Sequence, residues 1–199
     1  MPEQTPAQPA AAEVADLHAL AGAMAAESER FLATLTEVAS GSHPDAAMSL
    51  LLLAVADLSA AGARLGAVVD VVPPERFEPG DGGEPDADPL RLGLGNLLDG
   101  LDEYREVPDP LVDNVSVTGS VSADLAEVAL ALRRGLQHHR AGNVIEALWW
   151  WQFSYLSNWG DRAASALRTL LSVLSHVRLD VPADVAADAQ FDALHAETD

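Results

Sequence analysis

The sequence predicts an all-α fold: a single-domain bundle of about five helices organised around one long, central Trp-rich helix. Three observations lead there. Apolar residues recur at steps of three and four through most of the chain, the spacing of one helix face. The Pro and Gly clusters fall between those runs rather than inside them. Three of the four Trp residues are consecutive, Trp149, Trp150 and Trp151, and lie within the longest run.

Residues 1–12 are rich in Pro, Ala and Gln and read as a disordered tail. The helical domain is expected over 13–178. Its first helix, about Glu13–Ser40, places Leu17, Leu20, Met24, Phe31, Leu35 and Val38 on one face. Gly41 ends it and Pro44 opens the second helix, which runs to about Val72. There the stripe is Met48, Leu51, Val55, Leu58, Gly62, Leu65, Val69 and Val72, and Gly62 with Gly66 leaves a small-residue notch for close packing. The stretch Ala46–Val72 is apolar enough to invite a transmembrane reading. Asp57 and Arg64 inside it, and its Ala/Gly content, favour a buried bundle helix.

Residues 13–72 thus form a helical hairpin, and 73–88 an acidic, Pro/Gly-rich linker that stays solvated. The remaining helices occupy 89–178. Asp88 caps a third helix of about Pro89–Glu106, with Leu90, Leu94, Leu97, Leu98, Leu101 and Tyr104 inward; Pro108 and Pro110 stop it. Asp113–Ser120 is β-prone and is the one place for a strand. Ser122 caps a fourth helix, about Ala123–Arg140, and Ala141–Asn143 makes a tight turn. The last helix, about Asn143–Val177, keeps its phase through Ile145, Trp149, Gln152, Leu156, Trp159, Ala163, Ala166 and Leu170. One continuous helix is expected, bent near Asn158–Gly160. It is apolar nearly all round between Leu148 and Leu156, so several neighbours should contact it. Residues 179–199 are an acidic tail with Asp180, Asp184, Asp188 and Asp192 four apart.

Charge and composition exclude several functions. The formal charge is −20, from 31 acidic and 11 basic residues, and every basic residue is Arg. Such a chain repels phosphate backbones and anionic lipids, so direct nucleic-acid and membrane partners are not expected. Cys is absent, which removes disulfides, thiolate metal sites and Cys nucleophiles. No basic segment followed by an apolar run marks a leader, so the expected location is cytoplasmic. There is no GxSxG, no P-loop and no dinucleotide-binding glycine pattern, and no cofactor is expected.

Two sets of residues carry chemistry. On the Trp helix, successive side chains turn by roughly 100°, so three adjacent Trp cannot all face the core. Trp149, Gln152, Asn158, Trp159 and Arg162 are the candidate ligand- or partner-binding residues. The second set is acidic. Glu103 and Glu106, then Asp124 and Glu127, form i, i+3 pairs on what read as two consecutive helices. Facing pairs of that kind hold Mg²⁺ through oxygen ligands in helical nucleotide hydrolases.

Tyr104–Pro110, Ser120–Glu127 and above all Glu146–Gly160, followed by Ala166, Leu167 and Arg168, resemble the hallmark segments of an actinobacterial family of helical proteins, domain of unknown function 5063. The resemblance spans about Glu13–Val177. It implies a small, helical, cytosolic bacterial protein and assigns no activity or functional residue. The residues themselves favour a non-enzymatic protein-interaction or regulatory module with a protein partner, in which Arg133, Arg134, Arg140 and Arg162 supply local positive charge. The alternative is a small-molecule-binding protein, or a metal-dependent nucleotide hydrolase using the helical carboxylates.

Overall fold

The structure, a computed structural model, describes residues 11–68, 70–73, 86–107 and 115–179. The expected N-terminal tail (all but Ala11 and Ala12), most of the acidic linker and the C-terminal tail beyond Leu179 lie outside the described residues.

Helix α1 spans Ala11–Ala39 and buries Met24, Phe31, Leu35 and Val38, the spacing read from the sequence. Gly41 ends it at φ 73°, a left-handed position that favours glycine. A single 3₁₀ turn, Pro44–Ala46, leads into α2, Ala47–Ala67. Leu51, Val55, Leu58, Gly62 and Leu65 of α2 are buried against α1 and the helical stretches Val144–Ser154 and Gly160–Leu179. Among the described residues, Pro44–Ala67 is the one helix long and apolar enough to cross a membrane; here that apolar stripe lies in the core. The chain turns extended at Val68, short of the expected Val72.

The third helix is also shorter than the sequence predicts. Helix α3 covers Asp88–Leu97 and packs on α1 and on the helix Val121–Arg140. Gly93 sits over the Ala39 carbonyl, where a Cβ would approach to 2.7 Å. Gly100 then takes φ 77°, and the chain enters β1, Glu103–Glu106, instead of continuing as helix. Strand β2, Val117–Ser120, pairs with it antiparallel, Glu103 opposite Ser120 and Tyr104 opposite Gly119. The Tyr104 ring occupies the space a Cβ on Gly119 would fill. Cross-strand pairing of this kind outweighs the weak helix propensity of a segment with Gly93, Gly95 and Gly100.

The hairpin ends directly in α4, Val121–Arg140. Asp102 secures that junction: one carboxylate oxygen accepts from the Ser122 N–H at 2.7 Å, and the other from the Ser120 and Ser122 hydroxyls, both at 2.8 Å. The Ser120 hydroxyl oxygen caps the Ala123 N–H at 3.2 Å, two residues before the expected cap. Gly142, at φ 84°, turns the chain into α5, Val144–Ser154.

Helices α5 and α6 (Gly160–Leu179) are one continuous rod, joined by a π turn at Tyr155–Trp159. Counting that rod once, the described residues hold five helices and one small hairpin. The irregularity overlaps the place where a bend was expected, near Asn158–Gly160, and takes the form of a widened turn. A π turn holds one residue more than an α turn. Leu156, expected inward, is 63% exposed, and Tyr155 takes the inner place. Its ring lies in the Gly62/Gly66 notch of α2, beside the Trp159 ring 4.7 Å away. The glycine notch therefore seats aromatic rings, not the bare backbone of a neighbouring helix.

Candidate functional site

The four Trp residues divide by angle. Trp151 and Trp159 are fully buried. Trp151 lies against Gly135 of α4 and donates its indole N–H to the Leu132 carbonyl at 3.3 Å. The Trp159 indole N–H has no hydrogen-bond partner among the described residues. Trp149 and Trp150 are half-buried on the other side of the helix.

On that outer side the rings form a ladder. Phe153, 52% exposed, stacks on Trp149 with centroids 5.4 Å apart and planes 11° from parallel. Trp149 meets Trp150 edge to face at 6.3 Å. The Arg134 guanidinium lies 4.9 Å from the Trp150 ring centre, a cation–π contact. The Trp150 indole N–H donates to the Ala131 carbonyl at 2.9 Å, which fixes the ring plane.

A groove runs along each side of this ladder. The first, of about 280 Å³, lies between α4 and α5. Helix α4 contributes Glu127, Leu130, Ala131, Arg134 and Gln137, and the Trp helix contributes Trp150, Phe153, Ser154, Ser157 and Asn158. The α4 residues Glu127, Leu130, Ala131 and Arg134 follow i, i+3, i+4, i+7, with Gln137 three further on, and so share one face of the helix. The second groove, of about 400 Å³, lies between the Trp helix and the extended segment after α2. Asp70, Val71, Val72, Trp149, Gln152, Phe153, Leu156 and Ser157 line it.

Gln152 explains why that second wall holds its place. Its carboxamide oxygen accepts from the Val71 N–H at 2.8 Å, and its nitrogen donates to the Leu65 carbonyl at 2.9 Å. Gln152 is buried and satisfied, and it ties the end of α2 to the Trp helix.

A separate polar cluster joins the hairpin to α4 and α6. The Tyr104 hydroxyl donates to Asp124, which is buried and also accepts from Arg162 at 2.7 Å. Glu106 accepts from the Ser165 hydroxyl and, at 2.8 Å, from Arg168. Burial, the bond to Asp124 and the charges of Asp124 and Glu106 push the Tyr104 hydroxyl well above its ordinary value, so it remains a donor. Burial, then the charges of Glu106 and Asp124, also raise the Asp161 carboxyl.

The residues expected at one site therefore separate. Trp149 and Gln152 line the second groove, and Asn158 lines the first while accepting from Arg162 at 2.7 Å. Arg162 points to Asp124 in the polar cluster. Trp159 belongs to the core, where it lies against Gly62. Of the four residues Gln152, Asn158, Trp159 and Arg162, Asn158 and Arg162 meet, while Gln152 and Trp159 are engaged elsewhere.

The carboxylates separate too. Glu103 and Glu106 lie on a strand, where residues three apart face opposite ways. Glu106 and Asp124 approach one another around Tyr104, each engaged by an Arg, while Glu103 is exposed and Glu127 borders the first groove. No group of three acidic or His residues that could hold a metal occurs among the described residues.

Phe153, Val72, Tyr104, Ser165 and Arg168 were missing from the candidates. Phe153 carried a signal: it falls four residues after Trp149, a spacing at which rings stack on a helix surface. The others depend on the hairpin and on the extended Asp70–Pro73 segment, neither of which periodicity reveals.

No curated protein matches the chain. A solved structure, protein BF1032 from Bacteroides fragilis, shares the fold with TM-score 0.60 at 18% identity, covering 80% of this chain and 92% of that one. The model of the family described as "Domain of unknown function (DUF5063)" matches residues 15–176, and the chain belongs to that family.

Proposed function

We propose that this DUF5063 protein is a non-enzymatic protein-interaction module that docks a partner on the outer face of its Trp helix. The observation that carries the reading is the ladder Phe153–Trp149–Trp150–Arg134, held in fixed geometry between two grooves. Trp, Tyr and Arg dominate binding energy where partners anchor. Rings already ordered by stacking lose little conformational freedom on binding. A phenyl ring 52% exposed, next to Leu156 at 63% and Val72 at 77%, is the sort of apolar patch that interaction surfaces present. Among the described residues both grooves are open and lie along the Trp helix, a shape that suits a chain segment better than an enclosed metabolite.

A photo-crosslinking amino acid at position 153, in cells expressing the full chain, tests this. A discrete protein adduct from 153, absent from the same probe at exposed Leu53 on α2, is the expected result. Equal adducts at both positions, or none at 153, would refute it.

A further inference from the structure

We infer that the first groove takes a helical segment of a partner protein that carries an acidic and a basic residue seven positions apart, with apolar residues between them; this deepens the docking reading and rests on it. Glu127 and Arg134 are the two charged residues of the groove's lining, and both stand on its α4 wall. Seven residues of α-helix set them about 10.5 Å apart along the axis. Glu127 is exposed, and Arg134 is half-buried with its guanidinium over the Trp150 ring. Among the described residues neither forms an ion pair, whereas Arg140, Arg162 and Arg168 each meet a carboxylate.

Between the two charges the surface is apolar in effect. Leu130 and Ala131 lie between them on α4, with Trp150 and Phe153 on the opposite wall. The serines of that wall are bonded back to their own helix: Ser154 donates to the Trp150 carbonyl at 2.6 Å and Ser157 to the Phe153 carbonyl at 2.7 Å. The Asn158 side-chain oxygen already accepts from Arg162. A partner therefore meets an apolar strip with one negative and one positive charge along it. The spacing of those charges selects helix over strand. Two turns of a partner helix also span about 10.5 Å and bring residues i and i+7 to nearly the same face, with i+3 and i+4 between them. A strand covers that distance in about three residues, and residues three apart on a strand face opposite ways. A helix lying in the seam between α4 and α5 can bury one apolar stripe against both walls. Its acid then meets Arg134 and its base meets Glu127, while two acids or two bases at those positions leave one like-charge contact.

The probe is a dye-labelled peptide stapled as a helix, with Glu at i, Lys at i+7 and Leu at i+3 and i+4, titrated into the full chain while dye anisotropy is followed. Peptides with Glu at both ends or Lys at both ends serve as controls. The titrations are run in 0.15 M salt, where the screening length is about 8 Å and the net charge of −20 acts only at short range. The Glu/Lys peptide is expected to bind the wild-type chain about tenfold tighter than either control. Arg134→Glu should move the preference to the Lys/Lys peptide, and Glu127→Arg, at an exposed position, should move it to the Glu/Glu peptide. An unstapled Glu/Lys peptide with Pro at an outward position, which breaks the helix, should lose binding. No binding of the Glu/Lys peptide, equal binding of all three, an unchanged preference in both variants, or undiminished binding of the Pro peptide would overturn the inference. The crosslink at position 153 separates the two claims. An adduct there without Glu/Lys binding leaves a docking surface for another kind of segment, and failure of both removes the surface itself.

Discussion

Trp149 and Trp151 stand two residues apart on one helix and face opposite fates. Trp151 fills the core against Gly135 and satisfies its indole on α4. Trp149 lies half-exposed in a stack with Phe153 beside the second groove. The residue type is the same and the local sequence almost the same. What differs is angle: a step of two turns the side chain by roughly 200°. A run of Trp on a central helix therefore serves packing and surface at once, and position decides which.

Mutations at matched positions should reproduce that contrast. The largest effect is expected inside. Trp151→Ala leaves a cavity and an unused carbonyl, and should cost about 3–5 kcal/mol in urea unfolding; a loss under about 1 kcal/mol would mean the helix is not central. Gln152→Leu removes both bonds that hold Val71 and Leu65 and leaves buried backbone groups unpaired. It should cost about 1–3 kcal/mol, and amides of 65–71 should exchange faster with solvent. Gly62→Ala should cost about as much, roughly 1–3 kcal/mol by overpacking, since its Cβ would come within 2.7 Å of the Trp159 ring.

How much of this contrast could be read from the sequence depends on what each residue's neighbours are. The long helices were legible because each buries a regular stripe, but the stripe read on the Trp helix ran through Trp149, which is half-exposed, and not through Trp151, which is the buried one. The hairpin was not. Its strands are four residues each and they pair across a gap in the sequence, so no periodic signal builds up. The polar cluster of Tyr104, Glu106, Asp124, Arg162 and Arg168 was hidden with it, because the strand orients Tyr104 and Glu106 toward the helices. The π turn was half legible: the irregularity near Gly160 was visible, but periodicity assigned Leu156, rather than Tyr155, to the inside.

A smaller effect is expected in the polar cluster. The folded state raises the Asp161 carboxyl, so its ionised form is less favourable in the fold than in the unfolded chain. That penalty is absent below the unfolded value, near 3.9, grows as pH rises above it, and is complete once pH passes the higher folded value. Asp161→Asn should thus raise the melting temperature slightly at pH 7 and leave it unchanged near pH 3. A decrease at pH 7 would show that Asp161 is held by a favourable contact.

The smallest change in stability is expected on the outer face, where function should instead be most sensitive. Phe153→Ser, at a half-exposed ring, should cost about 1 kcal/mol or less. The most direct measurement is therefore made on that one variant: the crosslink yield from a probe at exposed position 156, set beside the urea midpoint of the same chain. Loss of the adduct with the midpoint nearly unchanged is the predicted result. An undiminished adduct, or a collapsed midpoint that makes Phe153 part of the core, would contradict it.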